Sequence, residues 1–147
     1  MTLMRSQSTR SLLALRLGYN DAMPRFVVLH HDFPAGHTRP PHWDLMLEWG
    51  QSLRTWAVAS EPGGTVEIEA EALPDHRLTY LEYEGPISGS RGSVTRWDAG
   101  QYVLESDRED ELKVQLRGQR MRGQLALRRE PRGHFWRVSF SAAPSTG

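Results

Sequence analysis

The chain has no cysteine. Disulfides, thiolate metal sites and cysteine nucleophiles are therefore excluded, and the composition fits a reducing, cytoplasmic setting. Long apolar runs are also missing. Nothing approaches the ~18–20 consecutive apolar residues of a membrane-spanning helix, so no membrane partner is expected. There is no phosphate-cradling or dinucleotide-binding glycine motif, and "PGG" at 62–64 reads as a turn. No serine sits in a nucleophile elbow. Helical patterning is scarce: outside the N-terminal leader only 71–76 shows any.

Net charge is zero, but its distribution is uneven. Residues 61–111 carry 13 Asp/Glu against 4 Arg, whereas 113–137 carry 8 Lys/Arg against Glu130 alone. Such a dipolar surface is compatible with a phosphate-bearing partner and differs from that of a uniformly basic DNA-coating protein. The arginines of "RGQRMRGQLALRRE" are expected to pair mainly with the neighbouring acidic "ESDREDE".

What remains is a succession of short strands separated by turn residues. "RFVVLHH", "HWDLMLEW", "LRTWAVAS", "TVEIEAEAL", "RLTYLEYE", "SVTRWD", "QYVLES", "ELKVQLRG", "MRGQLALRRE" and "HFWRVSF" are broken by "EPGG", "GPISGSRG", "DAG" and "PRG". About ten strands at this spacing predict an all-β fold, a compact antiparallel β-barrel with little helix. Residues 1–23 read as a disordered leader or a mis-assigned start, with Met23 a candidate true beginning. Residues 24–141 read as the barrel domain and 142–147 as a flexible tail. A monomer is expected. The five tryptophans lie in strand patterns and are assigned mostly to the core, Trp49 being the best candidate for exposure.

The chemistry concentrates in "PPHWDLMLEW". Residues i and i+2 of a strand share a face, so His42 and Asp44 are neighbours. Met46 and Glu48 follow in the same row, and Trp43, Leu45, Leu47 and Trp49 face a core. An imidazole and a carboxylate at this spacing can converge on a divalent ion. An antiparallel connection from "LHHD" brings His30 or His31 beside His42, and His76 stands at the end of a later strand. From the residues alone three chemistries stay open: a non-haem iron facial triad, a hydrolytic Mn²⁺ or Zn²⁺ site, and a structural site.

The segment "FVVLHHDFPAGHTRPPHWDLMLEWGQSLRTWAV", with "DHRLTYLEYEGPI", "VTRWDAGQY" and "LKVQLRGQRMRGQLALRRE", resembles the 3′-phosphoesterase domain of bacterial DNA ligase D, in order, over about residues 25–140. The resemblance implies an antiparallel barrel with a metal site, removing a 3′-phosphate or 3′-ribonucleotide during DNA end repair. Carried over by position, it implies His31, His42 and Asp44 as ligands of Mn²⁺, with Zn²⁺ or another divalent ion as substitutes. His76 is implied as a phosphate contact, with Tyr80 four residues on. DNA or RNA/DNA 3′ ends, and a ligase or polymerase of end repair, are the partners it implies. Three departures stand out: Met46, Ser60 and Ile68 occupy positions where the family carries cations. The link between His31 and His42 is longer than in the family, so His37 and Arg39 are expected to enter the site as replacements, as are Arg77 and Arg91. The alternative is a non-catalytic, metal-containing barrel that binds nucleic acid or a repair partner.

Overall fold

Alternation of side chains along "HWDLMLEW" makes a strand with two different faces, and both prove to be buried. The computed structural model describes residues 23–131 and 133–144. Expectations for the leader before Met23 and for the last three residues lie outside the described residues. The strands are β1 (Arg25–Asp32), β2 (His42–Trp49), β3 (Ser52–Val58), β4 (Ile68–His76), β5 (Gly85–Pro86), β6 (Ser93–Arg108), β7 (Glu111–Gly118), β8 (Arg122–Arg129) and β9 (Phe135–Ala142). A 3-10 turn, Leu78–Leu81, follows β4. No helix among the described residues is long and apolar enough to cross a membrane.

All pairings are antiparallel, in the order β1-β2-β3-β4-β9-β8-β7-β6-β5. A further β1–β6 ladder closes eight of these strands into a barrel. Closure removes the unpaired edges that an open sheet would expose. The barrel interior is filled from every side by Phe26, Val28, Leu45, Leu47, Trp56, Val58, Leu112, Val114, Leu116, Leu125, Leu127, Trp136 and Val138, with Met121 and Tyr102. Burying each such side chain contributes roughly 1.5–3 kcal/mol. Trp56 and Trp136 meet edge to face at 5.7 Å. All five tryptophans are buried or half-buried; Trp49 is not exposed, because the Arg54 guanidinium lies over its ring at 4.8 Å.

Three expectations need correction. Residues 71–76 belong to β4 and are not helical: pairing with β3 and β9 overrides the helix propensity of Glu-Ala-Leu. "SVTRWD" and "QYVLES" form one 16-residue strand, β6, so "DAG" does not separate two. The arginines of β7 and β8 do not pair mainly with the acidic 105–111 segment; Arg128 reaches Glu67, and Arg137 on β9 reaches Glu130 at 2.6 Å.

On the outside of β1, β2 and β3 lies a second cluster of Val27, Leu29, Met46, Leu53, Leu81 and Val94, with Leu78, Tyr80 and Ile87 packed on it. The 3-10 turn covers this patch. The row that carries His42 and Asp44 is consequently buried as well, and at its end the covering stops short and leaves a cavity.

Candidate metal centre

Register decides what meets in that cavity. Across the β1–β2 ladder His31 stands opposite His42 and Leu29 opposite Asp44, which puts both histidines and the aspartate on the outer face within one residue step. His30, one position earlier, points the other way and packs on Trp43 with ring centroids 4.7 Å apart. Of the two histidines left open by residue spacing, His31 is therefore the one at the site.

The cavity, about 260 Å³, is lined by His31, His37, Arg39, His42, Asp44, His76, Tyr80 and Arg91 around a floor that includes Leu29, Met46 and Val94. Nearly all the candidate residues are thus brought together. Arg77 is not: it is exposed and does not contribute to the wall. Of the positions where a cation was missed, Ile68 packs against the barrel interior, and neither it nor Ser60 lines the cavity. Of the three, Met46 alone lines the cavity. Phe33 was missed by reading along the sequence. Its ring stacks on His31 at 4.4 Å and lies 4.7 Å from His37, so the longer link folds back over the ligand side chains. The only sequence signal for this was the length of that link.

The inner geometry is that of a cation site. Nε2–H of His31 donates to the Arg91 carbonyl at 2.7 Å, and since a carbonyl only accepts, the neutral ring keeps its lone pair on Nδ1. That Nδ1 lies 3.4 Å from Asp44 Oδ2. Nδ1 of His42 faces the Pro40 carbonyl at 3.4 Å, leaving Nε2 3.1 Å from Asp44 Oδ1. Despite that short approach, Asp44 Oδ1 is buried without a hydrogen-bond partner. One ligand atom from each of the three residues falls within 4.8 Å of the others. Three potential ligand atoms therefore lie close together in a poorly solvated place, an arrangement that either a proton on an imidazole or a shared cation would stabilise. Two imidazoles and a carboxylate, one imidazole fixed by a backbone carbonyl behind it, suit Mn²⁺ or Zn²⁺ and the second-shell pattern of such sites. The residues fit a divalent ion.

Protonation follows the same field. Burial pushes the Asp44 carboxyl up, but His31 and then His42 outweigh it and hold it at about 2. Burial pushes His31 down; the Asp44 carboxylate and the Arg91 carbonyl outweigh that, and its pKa is raised despite the opposing charge of Arg39. A proton on His31 thus occupies the place that a metal would take. Because that proton must leave before the ring can ligate, affinity for a divalent ion is expected to fall as pH drops through the raised His31 value, toward tenfold per pH unit. Calorimetric Mn²⁺ titrations in two buffers of different ionisation enthalpy, at about pH 6 and about pH 8, check this through the proton released at the lower pH.

The family described as the DNA Ligase D 3′-phosphoesterase domain matches residues 30–129. The multifunctional non-homologous end joining DNA repair protein LigD of Mycobacterium tuberculosis is 34% identical over 111 aligned positions, covering 69% of this chain and 14% of the relative. The LigD of Mycobacterium bovis matches to the same extent. In Pseudomonas aeruginosa the multifunctional non-homologous end joining protein LigD is 33% identical over 96 positions, covering 58% of this chain and 11% of the relative. The chain thus spans about one seventh or less of the length of these relatives.

Proposed function

The chain belongs to the DNA ligase D 3′-phosphoesterase family, and we propose that it is a divalent-metal-dependent phosphoesterase acting on nucleic-acid 3′ ends in DNA repair. The observation that carries this is the convergence of one ring nitrogen each from His31 and His42 and a carboxylate oxygen of Asp44 in a cavity that also presents His76, Tyr80, Arg39 and Arg91. His31, His42 and Asp44 would hold the ion, Mn²⁺ being the first choice. When bound, it supplies polarisation of a phosphoryl oxygen and a lowered pKa for an attacking water.

The remaining side chains orient and neutralise the ester. Nδ1–H of His76 donates to the Pro74 carbonyl at 2.9 Å, which fixes the ring and leaves Nε2 for a phosphoryl oxygen. Tyr80 meets the His76 ring at 5.7 Å and brings its hydroxyl to the same wall. Arg91 is tethered to Ser88 through Nε and Nη2 at 2.7 and 3.1 Å, and its carbonyl already positions His31. Arg39 arrives from the 33–41 link. In this reading the cationic work that Met46 cannot do passes to Arg39 and Arg91. The substrate is a 3′-phosphate or a single 3′-ribonucleotide on a primer–template, and a ligase or polymerase is the partner that would take up the trimmed end.

The test is hydrolysis of those two substrates with and without Mn²⁺. Activity is expected to require the ion, to vanish in His42→Ala, and to drop on the order of a hundredfold when Arg39 and Arg91 are both replaced by alanine. Folded, Mn²⁺-binding protein that cuts neither substrate would instead support a second reading, a non-catalytic metal-containing barrel that binds nucleic acid or a repair partner. One observation favours that alternative: Met46, only 1% exposed, puts an unreactive side chain where the site needs a cation.

A further inference from the structure

On the outer face of β1, Arg25, Val27, Leu29 and His31 follow one another at alternate positions. Val27 and Leu29 are sealed under the 3-10 turn, so the face is open only at its two ends. His31 occupies one end, in the metal cavity. The other end is a cleft of about 410 Å³ lined by Arg25, Arg96, Arg117, Gln101, Gln119 and Glu82, among others. We propose that this cleft binds backbone phosphates of the nucleic-acid strand whose 3′ end lies in the metal cavity. The proposal rests on the reading of that cavity as a 3′-end site.

Three observations carry it. The first is an excess of positive charge. Arg25 meets Glu82 at 3.3 Å, but their side chains are 39% and 74% exposed, and such a solvent-accessible pair holds little energy against a competing phosphate. The Glu84 carboxylate is taken by the Arg96 backbone N–H, while the Arg96 guanidinium donates only to the Leu81 carbonyl at 3.3 Å. The Arg117 guanidinium reaches the Met23 sulfur at 3.7 Å. Among the described residues no carboxylate forms a salt bridge with the Arg96 or Arg117 guanidinium, and three arginines line the cleft against Glu82 on its wall and Glu84 at the Arg96 backbone. Guanidinium forks match phosphate oxygens in pairs.

The second observation is how Arg96 comes to be there. The β1–β6 register slips between Val28 and Leu29: Val28 stands opposite Asp98 and Leu29 opposite Arg96, with Trp97 left over. This bulge puts Arg96 on the outer face, beside the turn, while Trp97 packs against the barrel interior. Bulges of this kind re-aim side chains next to functional sites.

The third is placement. From Arg25 to His31 is six residues of strand, about 20 Å. That is on the order of six steps of duplex at ~3.4 Å per phosphate on one strand. The same short turn walls both pockets, with Tyr80 in the metal cavity and Leu81 in the arginine cleft. A strand seated at the cavity and running along β1 therefore meets the cleft several nucleotides upstream of its end.

Fluorescence anisotropy with 3′-phosphorylated duplexes tests this, using wild type and Arg96→Gln/Arg117→Gln across a salt series. On a duplex of about twelve base pairs the double variant is expected to bind at least tenfold more weakly, and the log–log salt slope to flatten by about 2, near 0.9 for each lost phosphate contact. On a single-stranded 3′-phosphorylated dinucleotide, too short to reach the cleft, the two proteins should bind alike. Equal affinity and slope on the long duplex, no binding of that duplex by wild type, or an equal loss on both probes would each overturn the proposal. The two readings fail separately. Hydrolysis that ignores the arginines removes the cleft and spares the phosphoesterase, whereas arginine-dependent duplex binding without hydrolysis does the reverse.

Discussion

Asp98→Ala is expected to cost the fold about 3–5 kcal/mol, because one buried carboxylate holds up a whole hairpin. Asp98 is 2% exposed. Its Oδ1 accepts the backbone N–H groups of Ala99, Gln119 and Arg120 at 2.9, 2.7 and 3.0 Å, and its Oδ2 accepts that of Met121 at 2.8 Å. Three of these four donors form the link between β7 and β8, which sits close over β6 because Gly118 has no side chain: a Cβ there would lie 2.5 Å from Asp98 Oδ2 and 2.7 Å from the Phe26 ring. Alanine leaves the donors without an acceptor at a site too tight for easy resolvation, at about 1–3 kcal/mol for each that stays buried. Asp98→Asn keeps an oxygen for the three Oδ1 donors but turns an NH₂ toward the Met121 N–H, so an intermediate loss of about 1–3 kcal/mol is expected. Urea or thermal melts decide it; an alanine variant melting with wild type would mean that strand pairing alone holds the hairpin.

That same aspartate shows where reading along the chain stops. Asp-Ala-Gly carries the local signature of a turn, yet in β6 Asp98 serves a hairpin more than twenty residues away. Gly100 is there because a Cβ would fall 2.1 Å from the Arg117 carbonyl oxygen. Both residue types were chosen by non-local contacts, which local patterning cannot distinguish from turn chemistry. The grouping of the candidate metal ligands was legible for the opposite reason. His42 and Asp44 share a face by strand geometry alone, and a hairpin partner brings His31 opposite without further information. The burial of that face was not legible, since the 3-10 turn that covers it comes from more than thirty residues downstream. The barrel itself followed from strand spacing, whereas its closure through β1 and β6 depends on a pairing some seventy residues apart.

Asp44→Asn is expected to abolish stabilisation by metal, and to remove from the metal-free fold the contribution that the Asp44 carboxylate makes at neutral pH. The aspartate is the one anion of the set, with a side chain 5% exposed. Asparagine has nearly the same shape and is uncharged, so the substitution itself introduces no new buried charge. Losing mere second-shell partners lowers metal affinity by 10–100-fold; losing the anionic ligand should exceed about a hundredfold. At a Mn²⁺ concentration about a hundred times the wild-type Kd, wild type gains about 2.7 kcal/mol and the variant no more than about 0.4 kcal/mol, a difference of roughly 10 °C in melting temperature. The pH profile of the metal-free protein gives an independent handle. With the Asp44 pKa lowered to about 2, its contribution is present above its ordinary value of 3.8 and lost as pH falls toward 2. With the His31 pKa raised, its contribution is complete below 6.5 and lost as pH rises through the folded value. The metal-free wild type should therefore gain most from this cluster between those limits, and Mn²⁺ should shift the optimum to higher pH by replacing the His31 proton. Asp44→Asn removes the anion on which both effects depend, so its profile should be flatter at both ends and indifferent to Mn²⁺. A variant whose melting temperature still rises with Mn²⁺ as wild type's does would place the ion elsewhere and remove the basis for assigning His31, His42 and Asp44 as its ligands.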